Sequence, residues 1–271
     1  MSSIKRLARD AALAAGFSGL YFRYLDWRRS RGLEKPPAAD ADGVPIPPLE
    51  MMFRVVAHAD WREFLRTGEE TARALARYAG EAGVDFRNAS RVLDLGCGSG
   101  RVIRHMPKLT DAALFGADYN AELAAWCGKN LTGDFRKNDL HPPLPYPDAH
   151  FDIVYLLSVF THLRIPTQRE WLAELARVVR PGGAALVTFH DETQPGLPDT
   201  DEARAALKKD GVYIYNDRAE GSNLIATFQT RDFTRALFGE LFDIARFAPD
   251  AESGIGQTLA ILKRPTQGGA A

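Results

Sequence analysis

Three glycines directly after a short apolar segment are the first residues whose spacing suggests chemistry. Gly96, Gly98 and Gly100 alternate with small side chains and follow RVLDL (91–95), a pattern typical of a buried strand. Glycine loses more backbone entropy on folding than any other residue, so three of them need a reason. A tight turn is one reason, and close approach of a ligand to the main chain is the other. In open α/β sheets, ligands bind beyond the carboxyl ends of the strands, which favours the second.

The glycine spacing also indicates the kind of ligand. A dinucleotide-binding turn has the pattern G-x-G-x-x-G, and its last glycine would fall at position 101. This sequence has Arg101 there and a glycine one position earlier. The turn therefore predicts an adenosine-like ligand that lacks a pyrophosphate.

Carboxylates at the next two strand ends match the polar groups of adenosine. Asp118 ends the second predicted strand, 22 residues after Gly96. An acid at about that distance can accept hydrogen bonds from both ribose hydroxyls. The third predicted strand ends in Asn138, Asp139 and Leu140. A carboxylate there can accept from the exocyclic amine of adenine, and a backbone N–H can donate to a ring nitrogen.

The segments around these groups alternate between strand and helix patterns. Apolar runs predict strands at 91–95, 112–118, 134–140, 151–158 and 184–190. Helical patterns lie near 100–108, 121–129, 167–179 and 231–239. This alternation predicts an α/β fold, a doubly wound, mostly parallel sheet with helices on both faces. The last two runs, LFDIARFA and GQTLAILKR, lie too close together for a helical crossover and should pair antiparallel at the sheet edge.

Composition is that of an ordinary globular chain. The 271 residues are 45% hydrophobic and carry a net charge of −1, which gives no argument for a nucleic-acid partner. Two cysteines are too few for a disulfide framework or a four-cysteine zinc site, and the six histidines lack metal-ligand spacing, so we expect no metal. The apolar runs are shorter than a transmembrane segment, and the N-terminus does not resemble a signal peptide. We expect a cytoplasmic protein.

The N-terminal region differs from the rest of the chain. Residues 1–35 combine eight basic side chains with apolar groups at helical spacing, which predicts a basic amphipathic helical extension. Residues 36–48 contain five prolines and predict an extended linker. The main domain is expected at 49–265, with an inserted segment at 191–230 and a disordered tail at 266–271. The extension could dock on its own chain, on a second copy or peripherally on a membrane, so both a monomer and a homodimer stay open.

Taken together, these segments resemble the class I S-adenosylmethionine-dependent methyltransferases over about residues 50–264. VLDLGCGSGR is similar to their first motif, and GADYNAELAAWC to their ribose-binding segment. NDLHPPLPYPDAHFDIVYLLSVFTHL is similar to their adenine and fourth-strand motifs, and ELARVVRPGG to the helix and turn before strand five. The resemblance implies a Rossmann-like seven-stranded sheet in the order 3-2-1-4-5-7-6, with strand 7 antiparallel. It also implies S-adenosyl-L-methionine as the cofactor.

The same resemblance implies roles for individual residues. Asp94 would orient the amino group of the cofactor, Tyr119 would flank the adenine, and Ser158 would lie near the methionine end. The glycines would lie against the methionine and ribose part. The complete set of implied cofactor-binding residues is Asp94, Gly96, Cys97, Gly98, Asp118, Tyr119, Asp139, Leu140 and Ser158.

In methyl transfer from this cofactor the protein does not have to activate the methyl group, because the sulfonium already makes it electrophilic. The protein must hold the acceptor in line and exclude water. A base is needed only when the acceptor loses a proton, as a hydroxyl does. Candidates are His162, after the fourth strand, and His190 and Asp191, at the end of the fifth.

The segment 191–230 is the most individual part of the sequence. Its aromatic and polar residues could line an acceptor pocket, and those considered for this role are Tyr213, Tyr215, Asn223, Phe228 and Gln229. Alternatively, Tyr213 and Tyr215 could form one face of an added hairpin.

We therefore predict in-line methyl transfer from S-adenosyl-L-methionine to a small-molecule or sugar acceptor, with no nucleic-acid partner. The alternatives are an NAD(P)-dependent oxidoreductase on a Rossmann-like fold and a non-catalytic S-adenosylmethionine-binding protein. The acceptor atom, whether oxygen, nitrogen or carbon, stays open, because fold does not determine function.

Overall fold

The computed structural model describes residues 28, 30–56, 60–217, 220–222 and 224–266. The chain divides into two compact units, Met1–Thr67 and Gly68–Ala271. Most of the predicted extension at 1–35 and of the predicted tail at 266–271 lies outside the described residues. The domain boundaries expected from the sequence stay predictions.

The first unit contains a small apolar cluster around helix α1 (Leu49–Val55). Ile46, Leu49, Met52 and Phe64 are buried together there. A second helix, α2 (Trp61–Glu81), begins in this unit and ends in the next.

A seven-stranded sheet forms the centre of the second unit, in the order β3-β2-β1-β4-β5-β9-β8. Its strands are β1 (Arg91–Leu95), β2 (Ala113–Asp118), β3 (Asp134–Lys137), β4 (Phe151–Leu156), β5 (Val179–Phe189), β8 (Asp243–Ala248) and β9 (Thr258–Lys263). The first five strands pair in parallel, and β9 runs antiparallel to both β5 and β8. Since β8 and β9 are the sixth and seventh strands of this sheet along the chain, the predicted order and the predicted antiparallel strand are confirmed.

Two apolar layers lie on opposite faces of the sheet, because neighbouring side chains of a strand point to opposite sides. Val154 packs in one layer with Trp171 and Leu175, and Ile153 packs in the other with Leu75. The helices that follow α2 are α3 (Ala121–Asn130), α4 (Ile165–Val178), α5 (Asp201–Asp210), α6 (Arg231–Gly239) and α7 (Asp250–Ser253). The first layer includes residues of α4 and α6, and the second includes residues of α2, as predicted for a doubly wound sheet.

Some element boundaries differ from the predictions. The helix expected near 100–108 is a 3-10 helix, Ile103–Lys108, with Pro107 inside it. Proline has no N–H to donate, which disfavours an α-helix there. Strand β5 begins at Val179, earlier than expected, because Val179 pairs with Phe151 of β4.

The chain between β5 and β8 adds a separate two-stranded hairpin, β6 (Val212–Tyr215) and β7 (Ala226–Gln229). The backbone of β7 reaches the main sheet, since the Gln229 N–H donates to the His190 carbonyl at 2.9 Å. Within the described residues, no helix combines the length and the apolar content that crossing a membrane requires.

Candidate functional site

The glycine turn after β1 presents main chain without side chains. Gly96 has a φ of +83° and Gly100 a φ of +78°, a region that side-chain-bearing residues rarely adopt. A Cβ added at Gly96 would lie 2.4 Å from Val159 Cγ2, and one at Gly100 would lie 2.3 Å from Leu131 Cδ1. The backbone conformation therefore favours glycine at both positions, and a side chain there would also have to displace Val159 or Leu131.

Asp118, at the end of β2, holds this turn from the neighbouring strand. Its Oδ2 accepts a hydrogen bond from the Gly98 N–H at 2.7 Å, and its Oδ1 accepts from the Asn120 N–H at 2.7 Å. Burial raises the pKa of Asp118, while the two backbone N–H groups oppose that rise. A carboxylate oxygen can accept more than one hydrogen bond, so Asp118 keeps capacity for two ligand hydroxyls.

Asp94, in β1, is a second buried carboxyl group, with 3% of the residue exposed. Its Oδ2 accepts a hydrogen bond from the Tyr155 hydroxyl at 3.0 Å. Burial raises the pKa of Asp94 to about 7, and the nearby charge of Asp118 adds to the rise, while Tyr155 and Arg101 oppose it. A carboxyl group with this pKa changes its charge near neutral pH, and a bound cation would favour the ionised form.

The end of β3 is more open than the ends of β1 and β2. The Asp139 side chain is 81% exposed and pairs with Lys137. The Leu140 carbonyl accepts from Trp171 Nε1 at 2.9 Å, and Tyr119 is 53% exposed. The structure thus leaves Tyr119 and the Asp139 side chain exposed and Leu140 half-buried, and it does not bring the Asp139 carboxylate to the buried groups.

Ser158, after β4, has an unusual backbone conformation, with a φ of +58°. Its N–H donates to Thr188 Oγ1 at 2.8 Å, and its Oγ accepts from Gln257 Nε2 at 2.7 Å. Non-glycine residues in this region carry strain that the surrounding contacts must offset. Ser158 is thereby fixed at the carboxyl edge of the sheet.

His162 is oriented by a backbone carbonyl. Its Nδ1 lies 2.8 Å from the Ile225 carbonyl oxygen. A carbonyl oxygen only accepts hydrogen bonds, so Nδ1 must carry the proton, and Nε2 keeps a lone pair in the neutral ring. Burial lowers the pKa of His162, and the bond to Ile225 opposes this. The His162 N–H donates to the carbonyl of Val159, the residue that packs on Gly96.

His190, at the end of β5, stacks on Phe228 with ring centroids 5.0 Å apart. Burial lowers the pKa of His190 to about 4, and nearby His162 contributes. Asp191, the third candidate base, is buried, and its Oδ2 accepts from Arg231 Nη2 and from Thr258 Oγ1, each at 2.6 Å. Because its Oδ2 already accepts hydrogen bonds from Arg231 and Thr258, Asp191 is unsuited to take a proton.

The predicted acceptor-pocket residues occupy different environments. Tyr213 and Tyr215 lie on β6, where Tyr213 pairs with Phe228 of β7 and Tyr215 is exposed. The Gln229 side chain is buried, donates to Gln168 Oε1 at 2.6 Å and accepts from Thr234 Oγ1 at 3.2 Å. Asn223 lies outside the described residues. Phe228 brings its side chain to His190, whereas Gln229 meets His190 through its backbone N–H.

Cys97 is buried in the turn, with its Sγ on the Gly98 carbonyl at 3.8 Å. Cys127 Sγ donates to the same carbonyl at 3.4 Å. Both thiols are free. Both thiols are buried against the Gly98 carbonyl, so the main chain of Cys97 is the part proposed to contact a ligand.

Sequence reasoning missed Gln257. This residue precedes β9, whose first residue, Thr258, pairs antiparallel with Phe189 of β5. A polar residue before an edge strand carries no distinctive local pattern, and only the pairing of β9 with β5 brings Gln257 to the carboxyl edge.

Buried polar atoms that have no hydrogen-bond partner within the described chain occur along this edge. They are Ser99 Oγ after β1, Asn138 Oδ1 after β3, His190 Nδ1 after β5 and Gln257 Oε1 before β9. Buried polar groups are nearly always paired with protein, water or ligand. Together with the positive-φ glycine turn and two buried carboxyl groups, they fit a nucleoside that carries an amino-acid group.

Comparison with known proteins shows similarity to methyltransferases. Residues 93–187 match a family model described as a methyltransferase domain. A sterol 24-C-methyltransferase from Gibberella zeae is 31% identical over 130 residues, which are 43% of this chain and 32% of that protein. An O-methyltransferase from Aspergillus nomiae is 28% identical over 201 residues, or 65% of this chain and 88% of that protein. A 27-O-demethylrifamycin SV methyltransferase from Amycolatopsis mediterranei is 34% identical over 164 residues, covering 57% of this chain and 58% of that protein.

The chain thus spans about a third of the length of the sterol methyltransferase. Among solved structures, a Pyrococcus horikoshii protein superposes with a TM-score of 0.56 at 16% identity, over 79% of this chain and 98% of that one. CalS10 from Micromonospora echinaspora, an amino pentose methyltransferase solved with S-adenosylmethionine, superposes with a TM-score of 0.51 at 18% identity. That match covers 73% of this chain and 91% of CalS10. At these identities the likeness is one of fold.

Proposed function

The chain belongs to the class I S-adenosylmethionine-dependent methyltransferases through the domain at residues 93–187, and from this premise we propose that it methylates a hydroxyl group of a small-molecule acceptor. The predicted family, fold and cofactor are confirmed. The relatives described above are methyltransferases, and none of them supports the oxidoreductase alternative.

The glycine turn and the buried carboxyl groups are the groups that would hold the cofactor. Asp118 would accept from its ribose hydroxyls, and Asp94 would interact with its amino group. The main chain of Gly96, Cys97 and Gly98 would lie against its methionine and ribose part. When bound, S-adenosylmethionine supplies an electrophilic methyl group on a sulfonium.

The remaining predicted cofactor contacts complete this assignment. Tyr119, Asp139 and the main chain of Leu140 would contact the adenine, and Ser158 would lie near the methionine end. Tyr119 and the Asp139 side chain are the most exposed members of the set, so they would contribute less binding free energy than Asp118 does.

The contact between His162 Nδ1 and the Ile225 carbonyl supports a hydroxyl acceptor. It leaves Nε2 unprotonated, which is the state a general base needs. Because burial lowers the pKa of His162, the ring stays neutral at neutral pH. His162 Nε2 would take the hydroxyl proton as the oxygen attacks, so that the oxygen gains nucleophilicity in the transition state.

The chain from β5 to β7 would cover the acceptor. Phe228 is buried against His190, and an apolar ring at this place helps to exclude water from the reacting groups. Tyr213 and Tyr215 are proposed to contribute the outer wall. A sugar hydroxyl is one acceptor of this class. The two described relatives that are named for oxygen methylation agree with the proposed acceptor atom.

Ligand binding and turnover test this function directly. The full chain is mixed with S-adenosylmethionine, S-adenosylhomocysteine or NAD, and its melting temperature is recorded, since a ligand stabilises the folded state it binds. We expect the first two to raise the melting temperature and NAD to leave it unchanged. Formation of S-adenosylhomocysteine is then followed with a panel of phenols, sugars, amines and carboxylic acids. Stabilisation by NAD alone, or turnover confined to amines, would contradict the proposal, and binding without any turnover would support the non-catalytic alternative.

The affinity for the cofactor is expected to depend on pH through Asp94. The raised pKa, about 7, keeps this carboxyl group largely protonated at pH 5.5, and the cofactor ammonium binds its ionised form. The Kd measured by calorimetry should therefore fall about tenfold between pH 5.5 and 7.5, with proton release on binding. Asp94→Asn should remove most of this dependence, whereas a parent Kd that is flat over this range would rule out ionisation of Asp94 on binding.

The same raised pKa has a consequence for folding. Since the pKa of Asp94 in the folded chain lies above its ordinary value, its contribution to stability is complete below that ordinary value and is lost as the pH rises through about 7. The Asp94→Asn variant should therefore gain stability relative to the parent as the pH rises from 5 to 8.

The oligomeric state and the cytoplasmic location expected from the sequence stay proposals. Both cysteines are free and buried, which agrees with a reducing compartment.

A further inference from the structure

The Gln257 side chain bridges the ends of two strands. Its Nε2 donates to Ser158 Oγ at 2.7 Å and lies 3.2 Å from His190 Nε2. Ser158 follows β4, His190 follows β5, and the antiparallel strand β9 delivers Gln257 to the same edge. One amide thus connects a residue assigned to the cofactor with a residue assigned to the acceptor.

The bridge determines which nitrogen of the His190 ring carries the proton. An amide N–H only donates, so the ring nitrogen that faces Gln257 Nε2 must accept and is unprotonated. In the neutral ring the proton then lies on Nδ1, which is buried and has no partner within the described chain. Stacking on Phe228, with an angle of 28° between the rings, holds the ring plane.

We propose that Gln257 is a positioning residue that keeps His190 in the Nδ1–H tautomer, so that His190 donates a hydrogen bond to an oxygen of the acceptor substrate. This inference rests on the proposed function for its acceptor, while the tautomer is a property of the free protein. His162 has the complementary arrangement, since its Nδ1–H is used by Ile225 and its Nε2 is a lone pair. One histidine would thus take a proton, and the other would hold the substrate oxygen.

The charged surroundings agree with a neutral His190. Burial lowers the pKa of His190 to about 4, and His162, on the 3-10 helix after β4, lowers it further. Asp191 acts in the opposite direction, but its charge is paired with Arg231 at 2.6 Å. His190 therefore stays uncharged over the working pH range and can donate only from Nδ1.

Nitrogen NMR on the full chain without cofactor tests the tautomer. The protein is labelled with 15N-histidine, and two-bond 15N–1H correlations show which ring nitrogen of each histidine is protonated. The signals lost in His190→Gln identify the His190 ring. We expect the Nδ1–H pattern in the parent, unchanged down to pH 5. An Nε2–H pattern would mean that the Gln257 amide faces the other way, and it would overturn the proposal.

The variant Gln257→Glu tests the positioning role. A carboxylate accepts hydrogen bonds, so it should reverse the tautomer to Nε2–H and raise the pKa of His190 by about one to three pH units. Gln194→Leu is the matched control, because its amide bonds the Gly256 carbonyl, next to Gln257, without touching His190. We expect this control to keep the parent pattern. An unchanged tautomer in Gln257→Glu would show that Gln257 does not set it.

Kinetic measurements with an acceptor substrate distinguish a failure of this inference from a failure of the proposed function. With a hydroxyl acceptor found in the turnover panel, Gln257→Glu should raise the acceptor KM about tenfold, the scale of one lost hydrogen bond. An unchanged KM would refute the donor role of His190. Absence of S-adenosylmethionine binding in the parent would refute the proposed function and leave the tautomer result standing.

Discussion

The variant His162→Gln is expected to lose about 10²- to 10⁴-fold in turnover of a hydroxyl acceptor, the usual contribution of a general base. Glutamine can still donate to the Ile225 carbonyl, which His162 Nδ1 now bonds at 2.8 Å, but its amide nitrogen cannot take a proton. The rate of S-adenosylhomocysteine formation measures the loss under saturating cofactor. The Kd for S-adenosylmethionine should change less than about twofold, because the substitution removes a proton acceptor from the acceptor side of the site.

The matched control for this experiment is His141→Gln. His141 is exposed, and its Nδ1 pairs with Glu170 at 2.7 Å, so we expect full turnover in this variant. The pH dependence of turnover by the parent is a second test of the role of His162. Because the pKa of His162 is lowered, turnover by the parent should fall at acid pH with a midpoint below the ordinary histidine pKa of about 6.5. If His162→Gln kept more than half of the parent turnover, His162 would not be the base.

Replacing Asp118 by alanine should weaken binding of S-adenosylmethionine by about 1–3 kcal/mol, or roughly 5- to 150-fold in Kd. The substitution removes the proposed acceptor for the ribose hydroxyls. It also removes the partner of the Gly98 and Asn120 N–H groups, each at 2.7 Å, so the glycine turn loses its fixed position. Isothermal titration calorimetry with S-adenosylhomocysteine measures the effect without turnover.

Two control variants show whether the loss of affinity is specific to the Asp118 carboxylate. Asp148→Ala removes an exposed carboxylate that pairs with Arg177, and it should leave the Kd unchanged. Asp118→Asn keeps an oxygen for one backbone N–H, so we expect a Kd between those of the parent and Asp118→Ala. Melting temperatures of all three variants show whether the fold is kept. Equal affinity of Asp118→Ala and the parent would remove Asp118 from the cofactor site.

Local features of the chain were sufficient to predict the glycine turn and the strand-end carboxyl groups that are proposed to hold the cofactor. The positive φ values of Gly96 and Gly100 and the position of Asp118 at the end of a strand follow from short-range patterns. Parallel strands place their carboxyl ends along one edge, so the alternation of strands and helices was enough to bring these residues together. The order of the sheet came from the family resemblance, whereas the antiparallel pairing of its last two strands also followed from the short connection between them.

The acceptor half was decided by contacts between distant parts of the chain. His162 meets Ile225 across 63 residues, His190 meets Gln257 across 67, and Ser158 meets Gln257 across 99. No local pattern encodes which nitrogen of a histidine carries the proton, because the tautomer depends on the partner that the ring meets in the folded chain. The sequence by itself therefore determined where the groups proposed to hold the cofactor lie. Two tertiary contacts decided which ring nitrogens of His162 and His190 stay available for hydrogen bonding. They are the pairing of β9 with β5 and the approach of β7 to the loop after β4.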